Sequence, residues 1–222
     1  MRRNRRKKTI LTTALVAAAA MLASACDTGF NDMTPWSYGP ACDRPTYYGI
    51  HEGDFTPDVV ADIHDAIGAV ATWSAIDIRF GGMVTWRSGS KDQPATWVSV
   101  ERRDAVPGAP FVSYGWPNPV NGVFQKGKLY IGTGVRLPTR VPPGYGTRKT
   151  FYGVVAHEAA HAFTGIGDMY NQGDGHPGLL MGRGVETMSN FAVGDIIGMV
   201  QKGCRAPHEK ASFIRWLRDT YR

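Results

Sequence analysis

Apolar and polar positions follow a helical period in four parts of the chain. From Val60 to Val70 the apolar residues recur at three- and four-residue spacing, which predicts an amphipathic helix over residues 57–75. Thr56-Pro57-Asp58 is typical of a helix start, with Thr56 as the capping hydroxyl and proline at the first helical position. Three later segments are also predicted to be helical: residues 150–164, 192–202 and 208–221.

Shorter apolar segments predict β-strands at residues 47–51, 77–84 and 96–101. Gly81-Gly82 interrupts the second of these strands and predicts a bulge or a turn. Val123-Phe124 and Leu129 to Val135 flank Lys126-Gly127, which predicts a hairpin. The segments rich in Pro and Gly, residues 105–122 and 136–147, are predicted to be surface loops. Neither an internal repeat nor a second domain is visible, so we expect one domain over residues 46–222.

The first 25 residues have the pattern of a secretion signal. A basic stretch is followed by an apolar stretch from Ile10 to Ala25 that ends in small residues. Cys26 follows directly, in a context that resembles a bacterial lipobox, so cleavage before it would make it the acylated first residue. The alternative is ordinary signal cleavage after Ala25, which would leave Cys26 without a lipid. We expect residues 26–45 to form a tether or an N-terminal arm, and the protein to be extracellular, secreted or anchored to the outer face of the bacterial cell membrane.

The distribution of charge argues against a nucleic-acid partner. The formal net charge is +6, but six of the 25 Lys and Arg lie within the first eight residues. The other 19 basic residues balance the 19 acidic residues, so the rest of the chain lacks the global basic character that a nucleic acid would require. An apolar content of 43 % excludes a disordered chain and indicates a domain with a substantial core.

The three cysteines bear on both export and folding. In an oxidising compartment cysteines tend to pair, and an odd number leaves one without a partner. If Cys26 carries lipid, Cys42 and Cys204 remain as the pair. Their disulfide would tie the start of the domain to a point near its end.

The candidate chemistry lies in His157-Glu158-Ala159-Ala160-His161. Two histidines at positions i and i+4 lie on one face of a helix and can bind the same zinc ion through their imidazole nitrogens. Glu158, next to the first histidine, is placed to take a proton from a water activated by the metal. We therefore predict His157 and His161 as metal ligands and Glu158 as the catalytic base.

A catalytic zinc site needs a third protein ligand. Gly165 can end the helix in a left-handed conformation and reverse the chain, which would bring Asp168 back toward the two histidines. His176 is the alternative third ligand, since a glycine-rich segment could return it to the site. Asp174 and Glu186 are weaker alternatives, Glu186 in a His₂Glu pattern.

The segment from His157 to Tyr170 resembles the metzincin zinc metalloproteases, whose motif is HExxHxxGxx(H/D). It is most similar to the small secreted snapalysin-like bacterial proteases, because Asp168 is followed by a tyrosine two positions later. Further along, the segment from Val193 to Val200 resembles the C-terminal helix of the matrixin-like proteases. The resemblance implies that Asp168 is the third ligand. One difference is that three residues separate His161 from Gly165 where the family has two.

The same resemblance implies an α+β zincin domain. Its expected parts are a twisted mixed sheet with an antiparallel edge strand, a long N-terminal helix and a zinc-binding active-site helix. Met181 is expected in the methionine turn below the zinc, with Met188 as the alternative, and Asp195 is expected to support the site or cap a helix. The strand from Leu129 to Val135 would form the edge of the substrate cleft, with the small residues Gly132, Thr133 and Gly134 facing the substrate backbone.

These observations predict a monomeric zinc endopeptidase with one catalytic Zn²⁺ and a protein or peptide substrate. A lipid on Cys26 would add the membrane as a partner. The Asp and Gly content leaves structural Ca²⁺ open as well. Two other hypotheses remain: a catalytically inactive zincin-fold surface lipoprotein that acts as a binding or structural module, and a zinc hydrolase that acts on a bond other than a peptide bond.

Overall fold

Four helices lie in the part of the chain that the computed structural model describes, which is residues 40, 42–104, 113–116, 119–120, 123–124, 126–133, 151–167, 181 and 191–221. They are α1 (Pro57–Ser74), α2 (Phe151–Thr164), α3 (Val193–Lys202) and α4 (Pro207–Thr220). All four predicted helices are confirmed to within one residue at each end. The proposed signal and Cys26 lie outside the described residues.

The described strands form a five-stranded sheet and a separate two-stranded pair. The sheet contains β1 (Thr46–His51), β2 (Ile78–Val84), β3 (Trp97–Arg102), β4 (Tyr114–Trp116) and β7 (Lys126–Ile131), in the order β2-β1-β3-β7-β4. Neighbours run parallel, except that β4 is antiparallel to β7. The antiparallel pair consists of β5 (Pro119–Val120) and β6 (Val123–Phe124).

Three predictions about the segment from residue 105 to residue 135 are wrong. Lys126-Gly127 is not a hairpin turn, because it begins β7, in which Gly127, Leu129, Tyr130 and Ile131 are buried. Residues 129–135 are not an edge strand, because β7 ends at Ile131 and lies between β3 and β4. The predicted loop 105–122 contains two strands, since β4 pairs with β7 and β5 pairs with β6.

The predicted cap at the start of α1 is absent, whereas the predicted bulge in β2 is present. Thr56 precedes α1 as predicted, but its side chain makes no capping hydrogen bond, so the proline and the acidic Asp58 in the first turn are what remain of the predicted start signal. In β2 the bulge is confirmed. Tyr48 pairs with Phe80 and Gly49 pairs with Gly82, which leaves Gly81 as the extra residue.

Helix α2 lies in the core, packed against α1, β4 and β7. Within it, all side chains except those of Tyr152 and His157 are buried. Glycine and alanine at five of its fourteen positions let neighbouring elements approach it from several sides. The sheet contributes fully buried residues to the same core, among them Ile50, Val100 and Leu129. This position keeps the predicted metal-binding helix away from bulk water along most of its length.

A cluster of charged side chains holds the ends of β1 and β3 together. The Arg87 guanidinium donates to Asp54 Oδ2 at 2.6 Å and to Glu101 Oε2 at 3.2 Å. The amide N–H of Arg102 also donates to Asp54 Oδ2, at 2.8 Å, and Glu101 is completely buried. The hydrogen bond to Asp54 is the main cause that raises the pKa of Arg87. Burial of the Glu101 carboxylate would be costly without a charged partner, so we assign this cluster a role in stabilising the fold.

The predicted disulfide is present between Cys42 and Cys204, whose Cα atoms are 5.3 Å apart. The Cys204 N–H donates to the Ser74 carbonyl at 2.7 Å, and Gly203 packs so closely on that carbonyl that a Cβ would stand 1.8 Å from its oxygen. The end of α1 is therefore held directly against the segment that follows α3. Among the described residues no helix is long and apolar enough to cross a membrane.

A neutral pair of side chains joins α1 to β1. The Tyr48 hydroxyl and His64 Nδ1 are hydrogen-bonded at 2.6 Å. Burial lowers the pKa of His64 from 6.5, and the nearby Asp65 carboxylate opposes this only partly. Burial also raises the pKa of Tyr48 to about 12. Both shifts favour the uncharged forms, so the contact is best formed near neutral pH.

This pair predicts a loss of stability in mild acid. The unfolded chain takes up a proton on His64 near pH 6.5, whereas the folded chain resists protonation there, so the free energy of unfolding decreases as the pH falls from 7 to 5. His64→Gln should show a smaller decrease than the wild type, measured by urea unfolding with tryptophan fluorescence. His208→Gln, a change at an exposed histidine in α4, serves as the control. Parallel curves for the wild type and His64→Gln would contradict this assignment.

Candidate metal centre

The predicted motif brings three side chains of α2 together. One coordinating atom of each of His157, Glu158 and His161 lies within 4.8 Å of the other two. The Nε2 atoms of the two histidines are 3.0 Å apart. In the described part of the chain this is the one group of three His, Cys, Asp or Glu side chains that is placed to hold a metal ion.

The separation of the imidazole nitrogens fits a shared metal ion. Two nitrogens that bind one tetrahedral zinc at about 2.0–2.1 Å lie about 3.3 Å from each other. The observed 3.0 Å is close to that value, and the helix supplies it through the i, i+4 spacing. Imidazole nitrogens with a neighbouring carboxylate are also the donor types that zinc prefers.

The tautomer of His161 follows from its other ring nitrogen. His161 Nδ1 is 2.5 Å from the carbonyl oxygen of Ile166, and a carbonyl can only accept a hydrogen bond. Nδ1 therefore carries a hydrogen, and in the neutral ring Nε2 has the lone pair. Metal-binding histidines usually have such a partner on the second ring nitrogen, because it fixes the ring and the tautomer. His161 is buried, so water does not compete strongly for this bond.

The end of α2 accommodates the spacing that differs from the metzincin motif. Gly165 has φ 70°, the left-handed conformation that was predicted for it. Its N–H donates to the His161 carbonyl at 3.1 Å, which completes a normal i to i−4 helical bond. The additional residue between His161 and Gly165 is thus absorbed as one more helical position, and the chain leaves the helix at Gly165.

Asp195 caps the start of α3, which is one of the two roles predicted for it. Its Oδ1 accepts the N–H of Met181 at 3.0 Å, and its Oδ2 accepts the N–H of Ala192 at 2.8 Å. The second bond satisfies a backbone donor at the helix start. Asp195 and Met181 are both buried. The assignment of Met181 to a turn below a metal ion stays a prediction.

Other predicted site residues fall into two groups. Gly132 and Thr133 are described but lie beyond the end of β7, where the Gly132 N–H donates to Ser113 Oγ and the Thr133 hydroxyl donates to Asp104. They therefore do not form the predicted cleft strand. The remaining predicted residues lie outside the described part of the chain: Asp168, Asp174, His176, Glu186, Met188, Gly134 and Cys26.

One residue of the site was missed in the sequence. Gly115 of β4 lies directly on α2, where a Cβ would stand 1.8 Å from the carbonyl oxygen of Glu158 and 3.1 Å from the amide nitrogen of Ala162. Only glycine allows this approach between a strand and the backbone of the helix. Its two aromatic neighbours, which favour strands, were the signal that could have identified it within the predicted loop.

Comparison with known proteins adds little to this geometry. No protein-family model matches the chain, and no curated protein matches its sequence. Among solved structures, one similar chain is high choriolytic enzyme 1, a hatching enzyme zinc-protease from the medaka fish Oryzias latipes. The identity is 19 % and the TM-score 0.35, over 62 % of this chain and 55 % of that one. This chain thus spans little more than half of the hatching enzyme's chain.

The close contact of Gly115 with α2 predicts that a methyl group added there lowers stability, whereas one added at Gly68 does not. Gly115→Ala should lower the free energy of unfolding by about 1–3 kcal/mol, because the methyl group meets backbone that cannot rotate away. Gly68→Ala in α1 is the matched control, since a methyl group added there would meet no atom within 4 Å. That control should gain about 0.5–1 kcal/mol from the higher helix propensity of alanine. Equal stability of the two variants in urea unfolding would show that β4 does not press on α2.

Proposed function

We propose that this protein is a zinc-dependent endopeptidase that cleaves protein or peptide substrates outside the cell. The observation that carries the proposal is the geometry on α2. Two imidazole Nε2 atoms lie 3.0 Å apart, and a buried carboxylate lies within reach of both rings. The fixed tautomer of His161 supports it further, because the lone pair at Nε2 is then available to a metal ion.

The roles of the side chains follow from their chemistry. His157 and His161 would hold the zinc, which when bound would supply a Lewis acid for the peptide carbonyl and for the attacking water. Glu158 accepts the proton that this water loses and later delivers it to the nitrogen of the leaving amine. The bond breaks by attack of water, so no covalent bond forms between the substrate and the enzyme. Burial of Glu158 keeps its carboxylate in one place for both proton transfers.

The third ligand belongs to the proposal as well. Asp168 follows the reversal at Gly165 by three residues, and a carboxylate there would complete a site of two histidines and one acid. His176 is the alternative. Either choice leaves a fourth position of the metal for water and substrate, which a catalytic zinc requires.

Export to the cell surface is supported by two features. The first 25 residues have the order of a signal sequence, and Cys42 and Cys204 form a disulfide of the kind that persists in oxidising compartments. With these two cysteines paired, Cys26 is the one that remains for a lipid. We therefore propose that the protein is anchored to the outer face of the membrane through Cys26.

The catalytic role of Glu158 is tested by Glu158→Gln. The amide cannot accept the proton from water, so peptide hydrolysis should fall by at least about 10²-fold while the protein keeps its zinc. The measurements are cleavage of casein and zinc content by atomic absorption. Glu52→Gln, at an exposed position, is the matched control and should cleave like the wild type. Casein cleavage by Glu158→Gln at the wild-type rate would refute the mechanism. Zinc binding by a wild-type protein that cleaves nothing would favour the inactive binding module.

The anchor is tested by Cys26→Ser. The wild-type protein should fractionate with membranes and carry the mass of a lipid on its first residue, whereas Cys26→Ser should lack that mass. Cell fractionation and mass spectrometry of the N-terminal peptide measure the two properties. An unmodified N-terminus on wild-type protein in the medium would indicate ordinary cleavage after Ala25 instead.

A further inference from the structure

The helix that carries the metal-binding residues ends at a buried hydroxyl. Thr164 is the last residue of α2 and is completely buried. Its hydroxyl donates to the Ala160 carbonyl at 2.6 Å and accepts the N–H of Ile166 at 3.2 Å. The hydroxyl hydrogen is used in the first bond, so the direction of both bonds is determined. Thr164 thus ties the residue after the chain reversal to the last turn of the helix.

The residue held in this way is the one that orients His161. The N–H of Ile166 is bonded to Thr164, and the carbonyl of the same residue accepts the Nδ1 hydrogen of His161. Ile166 is itself buried, and the left-handed Gly165 before it sets the direction of the turn. The position of that carbonyl, and through it the orientation of the imidazole, therefore depends on the Thr164 hydroxyl.

The end of α1 repeats the same arrangement without a histidine. The Ser74 hydroxyl donates to the Val70 carbonyl at 2.6 Å and accepts the N–H of Ile76 at 3.3 Å. A left-handed residue again follows, here Ala75 with φ 55°. The position that corresponds to His161, three residues before the hydroxyl, is Ala71. The motif ends a helix in both places, and only in α2 does a candidate metal ligand depend on it.

We propose that Thr164 is a positioning residue for the metal site, acting through the Ile166 carbonyl on His161. This inference rests on the proposed zinc function. Without the hydroxyl the Ile166 N–H loses its partner and the turn relaxes, so the hydrogen bond to Nδ1 lengthens. The ring then holds its metal-binding tautomer less firmly. Loss of such supporting bonds weakens metal affinity by about 10–100-fold in known sites, and we expect about tenfold here.

The test measures the zinc dissociation constant of the purified protein by competition with a chelator. Thr164→Val keeps the shape of the side chain and removes the hydroxyl, so its affinity should fall by about tenfold. Thr164→Ser keeps the hydroxyl and should bind like the wild type. Ser74→Ala removes the equivalent pair of bonds from α1 and should be less stable in urea, with unchanged zinc affinity.

Each result decides between clear alternatives. Wild-type affinity in Thr164→Val would overturn the inference, as would an equal loss in Thr164→Val and Ser74→Ala, which would indicate a general loss of stability. A wild-type protein that binds no zinc would instead refute the proposed function. Circular dichroism establishes that each variant is folded, and Thr164→Ala takes the place of Thr164→Val if the valine does not fit.

Discussion

Helix α2 is buried along nearly its whole length, and α1, α3, β4 and β7 pack against it. A buried helix that carries two imidazoles and a carboxylate must provide each polar group with a partner, because desolvation without one costs several kcal/mol. For His161 and for the end of the helix the partners lie close by in the chain. The Ile166 carbonyl accepts a hydrogen bond from His161, the Thr164 hydroxyl satisfies the end of the helix, and Gly115 lets β4 lie on the helix without a side chain between them.

The helices could be predicted from the sequence because the signals that define them are local. Apolar residues at helical spacing set the faces of α1 and α3, and the left-handed Gly165 ends α2. Pairing between strands is not local in this sense. Lys126-Gly127 has the composition of a turn, yet its backbone forms the start of β7 because the parallel neighbour β3 supplies its hydrogen bonds. Tertiary contact therefore overrode the local preference there.

The candidate site also contains groups that the local sequence predicts and groups that it does not. His157, Glu158 and His161 could be found because the spacing of a helix fixes their relative positions before any packing occurs. The Ile166 carbonyl could not, because a backbone oxygen has no signature in the sequence. The ion cluster of Asp54, Arg87 and Glu101 was missed for a related reason. Its members are far apart in the chain, and the pairing of β1 with both β2 and β3 brings them together.

The disulfide has a topological consequence. Cys42 and Cys204 are 162 positions apart, and the chain between them contains the whole five-stranded sheet together with α1, α2 and α3. A single peptide bond broken anywhere in this interval leaves two pieces that are still joined covalently. The nicked molecule would migrate as one species on a non-reducing gel, and reduction would separate the fragments. Because of the covalent link, a single cut in this interval does not by itself release a fragment. Release also requires that the disulfide be reduced.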